Sequence, residues 1–137
     1  MASMAKSSKA ASTLVLLLLV VCVVTYAPRS TLAASGTATY YTVYTPSSCY
    51  GFDTSPFPAG PLIAAASSAI FNNKAACGNL YQISCTGNGC TGGGPITVKV
   101  VDLCPGCAAN QFDLSQEAFS QIANIDVGRI NIEYNQV

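Results

Sequence analysis

Two aspartates stand where this sequence could do chemistry. Asp102 lies near the end of an apolar, β-branched run, Thr97 to Leu103, which predicts a buried strand, and a Cys-Pro-Gly-Cys turn follows. Asp113 comes eleven residues later, between Phe112 and Leu114. Two carboxylates in one groove could serve as acid and base on a glycosidic bond, and the apolar neighbours favour Asp113 as the acid. The alternative interpretation is structural, because aspartates commonly accept backbone N–H groups in turns and caps. Cleavage by a single acid, and binding without chemistry, are equally open.

The composition excludes several other chemistries. The chain contains no histidine, so the usual Ser/His/Asp and Cys/His catalytic arrangements cannot be built. Cys104 and Cys107 have the spacing of a zinc or redox pair, but they are the one pair with that spacing, and export would oxidise them. A disulfide is therefore favoured, and neither a metal nor a cofactor is expected.

The first 33 residues predict a secretory signal peptide. A positively charged start precedes a twelve-residue apolar run, Thr13 to Val24, and small residues allow cleavage after Ala33 or Ala34. Twelve apolar residues are too few for a membrane helix, which needs about 20. We therefore expect residues 34–137 to form one exported domain with a single core.

The charge of the expected domain is mildly acidic. Three basic residues stand against six acidic ones: Lys74, Lys99 and Arg129 against Asp53, Asp102, Asp113, Glu117, Asp126 and Glu133. Nucleic acids require clustered lysine and arginine, and membrane surfaces attract polybasic patches. Neither nucleic acid binding nor membrane insertion is expected.

The expected domain contains six cysteines, Cys49, Cys77, Cys85, Cys90, Cys104 and Cys107. An even number in a small exported domain predicts three disulfides, although fifteen pairings are open in principle. The closely spaced cysteines can close local rings, in which case Cys49 and Cys77 would close the long loop.

The patterns of residues predict an all-β fold of about six strands with two short helices. Alternation and β-branched residues predict strands, and Ser67 or Ser68 and Ser115 are candidate helix N-caps. Many short strands with Gly/Pro turns indicate a small closed barrel. The predicted segments are strands Gly36 to Thr45, Leu80 to Cys85, Ile96 to Leu103 and Gly128 to Tyr134, an apolar run Leu62 to Ala66, a brief helix ending near Asn72, and a helix Gln116 to Ala123.

Several short motifs together resemble one known family. They are Ala38-Thr39-Tyr40-Tyr41, Cys49-Tyr50-Gly51, Ala76-Cys77-Gly78, Val100-Val101-Asp102-Leu103-Cys104, Phe112-Asp113-Leu114-Ser115, Ala118-Phe119 and the final strand. In this order and spacing they resemble the plant natriuretic peptides. These are single-domain, expansin-like proteins with an endoglucanase-like domain of glycoside hydrolase family forty-five.

The resemblance implies a six-stranded double-psi β-barrel, stabilised by disulfides and secreted to the plant apoplast. It places four residues, Thr39, Tyr41, Asp102 and Asp113, at positions that match the groove of expansins. It also implies the disulfides Cys49–Cys77 and Cys85–Cys90, with Cys104–Cys107 as the remaining pair.

The chain departs from the hydrolases of this family at one position that matters. Asp113 matches the hydrolase acid, but the position of the aspartate base is occupied by Val43. Asp102 is the one nearby partner for Asp113 that the sequence offers. Without a base to activate water, inverting hydrolysis should be lost, and we expect a protein that is not an enzyme.

The resemblance implies extracellular signalling in water and solute homeostasis and in stress responses, with a cell-surface receptor as partner. The alternative is a protein that binds or loosens a plant cell-wall polysaccharide, or that cleaves a glycan with Asp113 and Asp102. Release of sugar that depends on Asp113 would separate an enzyme from the other two.

Overall fold

A computed structural model of the chain describes residues 32–137, so most of the predicted signal peptide lies outside the described residues. Six strands and two short helices make up this part. In chain order the elements are β1 Ala34–Tyr41, β2 Ile63–Ser67, α1 Ser68–Phe71, β3 Leu80–Thr86, β4 Ile96–Cys104, β5 Gln111–Ser115, α2 Gln116–Ile122, a 3-10 turn Ile125–Val127 and β6 Ile130–Gln136.

The six strands form one closed sheet in the order β1-β5-β2-β4-β3-β6. The pairs β1/β5 and β2/β4 are parallel, and the other four neighbouring pairs are antiparallel. The predicted all-β fold is therefore confirmed. Closure pairs each of these strands on both sides, which is how small β-proteins avoid pairing with other chains.

Alternation along the strands fills the interior of the closed sheet. In β5, Phe112 and Leu114 are fully buried in the core, and Asp113 between them points to the other side. Phe112 lies at the centre of an aromatic cluster, with ring centroids 5.1 Å from Tyr81 and 5.0 Å from Tyr134. The core thus fixes the direction in which Asp113 faces.

The two helices begin at the serines that the sequence indicated. Ser67 accepts a hydrogen bond from the N–H of Ile70, and Ser115 accepts one from the N–H of Ala118. Both serine hydroxyls also donate to distant carbonyl groups, Ser67 to Ala109 and Ser115 to Pro61, each at 2.6 Å. Each cap therefore ties its helix to a loop beside the outer face of the sheet.

Strand β5 is the element that the residue pattern did not reveal. Its five residues directly follow a loop, with no change in composition that would mark the start of a strand. Its neighbours in the sheet, β1 and β2, are remote in sequence. Gly36 of β1 makes room for this loop, because a Cβ at that position would collide with the carbonyl oxygen of Asn110. The N–H of Thr37 donates to the same carbonyl at 3.1 Å.

Strand β1 is shifted relative to the predicted Gly36 to Thr45. It starts at Ala34 and ends at Tyr41, because the chain then turns away toward α2. The hydroxyl of Tyr44 accepts a hydrogen bond from the N–H of Gln116 at 3.2 Å and donates to Glu117. These contacts hold residues 42–44 outside the sheet.

The structure contains three disulfides, Cys49–Cys77, Cys85–Cys90 and Cys104–Cys107. This is the pairing that the resemblance implies. The first closes the longest loop and fastens residues 47–51 near β4, where the N–H of Cys49 donates to the carbonyl of Val101.

Candidate functional site

Four residues form one row across neighbouring strands on the outer face of the closed sheet. Thr39 of β1 pairs with Asp113 of β5, Asp113 pairs with Ala65 of β2, and Ala65 pairs with Asp102 of β4. Paired residues on adjacent strands point to the same side, and strands lie about 4.8 Å apart, so the row spans roughly 14 Å. Ala65 is small and forms a low floor between the two carboxylates, which makes the row a shallow groove.

A β-bulge decides that Asp102 belongs to this row. Ala64 pairs with Val100 and Ala65 pairs with Asp102, so Val101 is the additional residue on β4. With regular pairing, Val101 would lie opposite Ala65. Val101 is instead fully buried, and its carbonyl accepts the N–H of Cys49.

Asp113 lies where its surroundings disfavour the ionised form of its carboxyl. Its side chain is half-buried, and this burial raises the pKa of the Asp113 carboxyl above its ordinary value of 3.8. The hydroxyl of Thr39 donates to Oδ1 of Asp113 at 2.8 Å and opposes the shift, because it stabilises the ionised form. In the part of the chain that the structure describes, Oδ2 has no hydrogen-bond partner and is the oxygen available to a ligand.

A chain of hydrogen bonds with a fixed direction orients Thr39. The side-chain oxygen of buried Gln111 accepts the N–H of Ala108 at 3.0 Å, which leaves its NH₂ group to donate to Thr39 Oγ1, also at 3.0 Å. Because Thr39 Oγ1 accepts from Gln111, its own proton is directed to Asp113. Gln111 is thus a positioning residue for the acid, a role that the sequence did not suggest.

Asp102 has a structural role that Asp113 does not have. Its Oδ1 accepts the N–H of Ser48 at 2.8 Å and the N–H of Leu103 at 2.9 Å. The first bond fastens the turn around Ser47 and Gly51 to the rim of the groove. These contacts agree with the structural interpretation of Asp102, because its Oδ1 binds backbone N–H groups of a neighbouring loop and of its own strand.

Tyr41 lies next to the row, two residues after Thr39 on the same side of β1. Burial, then the negative charges of Asp102 and Asp113, raise the pKa of the Tyr41 hydroxyl above its ordinary value. The hydroxyl oxygen is buried and, among residues 32–137, has no hydrogen-bond partner. Its ring packs edge-on against Tyr44, with ring centroids 5.1 Å apart.

The structure thus brings together all four groove residues that the resemblance implied, and it adds Ala65 and Gln111. Val43 lies outside the row in an exposed loop, 76% exposed, and supplies no carboxylate. Within residues 32–137, no group of three His, Cys, Asp or Glu side chains is placed to hold a metal ion. The helices in that range are also too short or too polar to span a membrane.

Replacing Thr39 by valine is expected to raise the pKa of Asp113 further, because the one hydrogen bond that favours the carboxylate is lost. A raised folded-state pKa means that the stability linked to Asp113 is present below pH 3.8 and is lost as the pH rises through the folded value. Thr39→Val should extend that loss to higher pH. Carboxyl NMR titration and unfolding curves at several pH values measure both effects.

Thr37→Val is the matched control, because Thr37 lies on the same side of β1 but next to Gln111 and not Asp113. An equal change in the Asp113 titration in both variants would contradict the assigned role of Thr39.

Comparison with known proteins places the chain in a family. A protein-family model described as "Lytic transglycolase" matches residues 63–134. An EG45-like domain containing protein of Citrus jambhiri is 53% identical over 112 residues, which covers 76% of this chain and 82% of that protein.

Solved structures agree with this result. The apo expansin of Clavibacter michiganensis has a TM-score of 0.66 and 29% identity, over 77% of this chain and 50% of that one. A point mutant of that expansin, solved in complex with cellohexaose, has a TM-score of 0.64 and 30% identity with the same coverage. The present chain therefore spans about half the length of these expansins. The expansin-like character expected from the sequence is confirmed, and the chain belongs to the family of EG45-like domain proteins.

Proposed function

We propose that this protein is a secreted, expansin-like protein of the plant apoplast that binds a neutral cell-wall polysaccharide without hydrolysing it. The binding surface is the groove formed by Thr39, Tyr41, Asp102 and Asp113. A complex of a related bacterial expansin with cellohexaose supports a β-linked glucan as the ligand class.

One observation carries the proposal: the chain has no carboxylate at the position where the resemblance expects the base that would act with Asp113. In inverting hydrolysis a second carboxylate activates water. Asp102 shares the row, and its Oδ1 accepts the N–H groups of Ser48 and Leu103, which hold the rim of the groove. Residue 43, where the base is expected, is valine. What the groove offers a sugar is hydrogen bonding from Asp113 and contact with the ring of Tyr41.

Two further parts of the proposal concern the fold and the export of the chain. The parallel pairs β1/β5 and β2/β4, set among antiparallel neighbours, support the double-psi topology. We also propose that a domain of residues 34–137 follows a signal peptide of residues 1–33, as the charged start and apolar run of the sequence predict.

Purified, oxidised protein is expected to bind isolated plant wall glucans, and Tyr41→Ala should weaken binding about tenfold or more because an aromatic contact is lost. Tyr41→Phe should keep the affinity, because the hydroxyl is buried and makes no hydrogen bond within the described residues. Pull-down and calorimetry measure binding, and the same mixtures are assayed for reducing ends. Equal binding by Tyr41→Ala and wild type would refute a glycan site in the groove.

A second candidate function is glycan cleavage, with Asp113 as the acid and Asp102 as its partner, or with Asp113 alone. The raised pKa of Asp113 and the description of the matching family as a lytic transglycolase favour it. The backbones of Asp113 and Asp102 are two strand spacings apart, about 9.6 Å, which leaves room for a sugar unit and a water molecule between the two side chains. Sugar release by wild type that disappears in Asp113→Asn would establish this function in place of binding alone.

Signalling in water and solute homeostasis and in stress responses stays a prediction of the resemblance. If the protein signals through a receptor that reads a surface outside the groove, any effect of wild type on protoplast volume should be retained by folded Asp113→Asn protein.

A further inference from the structure

A second cleft lies outside the groove, next to Tyr44. It has a volume of about 510 Å³ and is formed by the loop after β1 and the segment that leads into β2. Its walls contain the rings of Tyr44 and Phe57, the prolines Pro58 and Pro61, and the hydroxyls of Thr45 and Thr54.

Two contacts place the cleft beside the groove. The ring of Tyr44, which lines the cleft, packs on Tyr41, which borders the groove. Ser115 donates to the carbonyl of Pro61, another lining residue, and Ser115 lies two residues beyond Asp113 on β5. Ser115 is fully buried under this contact, so a ligand in the groove would reach the cleft over the rings of Tyr41 and Tyr44.

The walls of the cleft are held in place before any ligand arrives. Lys99 donates through Nζ to the carbonyl of Pro56 at 2.9 Å, and the N–H of Phe57 donates to the carbonyl of Thr54 at 3.0 Å. On the other side, Tyr44 is fixed by Gln116 and Glu117. A preformed site loses less conformational entropy on binding than a mobile loop would.

The lining chemistry selects an uncharged ligand with apolar faces and hydroxyl groups. None of the lining residues carries a formal charge, and the pKa of Tyr44, raised by burial and by its bond to Glu117 to about 12, keeps its hydroxyl neutral. Aromatic and proline surfaces suit the C–H face of a sugar ring, while threonine hydroxyls suit its rim. Two acidic residues stand near the cleft, Glu117 beside Tyr44 and Asp53 beside Thr54. They outnumber Lys99, which is bound to the Pro56 carbonyl at the wall, so the charges around the cleft do not favour an anionic sugar.

We infer that this cleft is an additional subsite that holds a neutral hexose unit of the same polysaccharide chain whose neighbouring units lie in the groove. The inference rests on the proposed function of the groove and adds to it a preference for longer chains, set by Phe57.

The test compares cellotriose with cellohexaose by calorimetry. Wild type should bind cellohexaose about tenfold more tightly than cellotriose, since burying one aromatic contact is worth at least that factor. Phe57→Ala should lower cellohexaose affinity to the cellotriose level and leave cellotriose affinity unchanged. Phe57→Leu, which keeps most of the side-chain volume, should give the same result if Phe57→Ala does not fold. Phe52→Ala is the control, because Phe52 is a 79% exposed aromatic that does not line the cleft.

The outcomes separate the cleft from the groove. Cellohexaose affinity that is unchanged in both Phe57 variants, or equal to cellotriose affinity in wild type, overturns the subsite and leaves the groove intact. If hexagalacturonate, which is anionic, binds as tightly as cellohexaose, the proposed preference for a neutral sugar is wrong. If wild type binds neither cellotriose nor cellohexaose, both the proposed function of the groove and the subsite are wrong.

Discussion

Phe112→Ala is expected to lower the free energy of unfolding by about 3–5 kcal/mol, the largest effect of any single substitution proposed for this protein. Phe112 is fully buried, and its ring contacts Tyr81 and Tyr134 at the centre of the closed sheet. Deleting it leaves a cavity between strands that are fixed by closure, so neighbouring side chains cannot move in to fill the space. Guanidinium unfolding followed by tyrosine fluorescence measures the change.

Phe52→Ala removes the same atoms from an exposed site and should change stability by less than about 0.5 kcal/mol. Comparable losses in the two variants would contradict the assignment of Phe112 to the core. Phe112 also neighbours Asp113, so a folded Phe112→Ala protein should hold the acid less firmly and bind glucan more weakly.

Replacing both Cys49 and Cys77 by alanine is expected to cost about 3.6 kcal/mol on the chain-entropy model, because their disulfide links residues with a sequence separation of 28. The same bridge holds the turn that Asp102 fastens through Ser48. The variant should therefore lose both thermal stability and the fixed rim of the groove. Calorimetric unfolding and glucan binding measure these two losses.

The matched control is the double replacement of Cys104 and Cys107, whose sequence separation is only 3. This small ring should contribute about 2 kcal/mol on the same model. A larger loss from the control than from Cys49 and Cys77 would show that loop length does not determine how much these disulfides stabilise the fold.

Part of the candidate site could be recognised before the structure was known. The motifs around Thr39, Tyr41, Asp102 and Asp113 resemble a known groove, and the structure places these residues on one surface. Gln111 could not be recognised, because its role depends on accepting from Ala108 and donating to Thr39, which is 72 residues away. The cleft beside Tyr44 could not be recognised either, because its residues belong to loops without a regular sequence pattern.

The two aspartates show why residue type alone does not assign a role. Asp102 lies near the end of an apolar strand and Asp113 lies between two apolar residues. By residue type, each could be an acid, a base or a turn residue. The bulge at Val101 brings Asp102 into the row, and the N–H groups of Ser48 and Leu103 bind its Oδ1. Burial on β5 raises the pKa of the Asp113 carboxyl above its ordinary value.

By itself, the sequence determined the properties that arise within a few residues. Alternation decided which side chains of β6 face inward, serines capped both helices, and the even number of cysteines predicted three disulfides. Tertiary structure alone decided which strands are neighbours, since Asp113 meets Thr39 across 74 residues of chain. The physical reason is that alternation and capping depend on local backbone geometry, whereas lateral pairing depends on how the whole closed sheet buries its core.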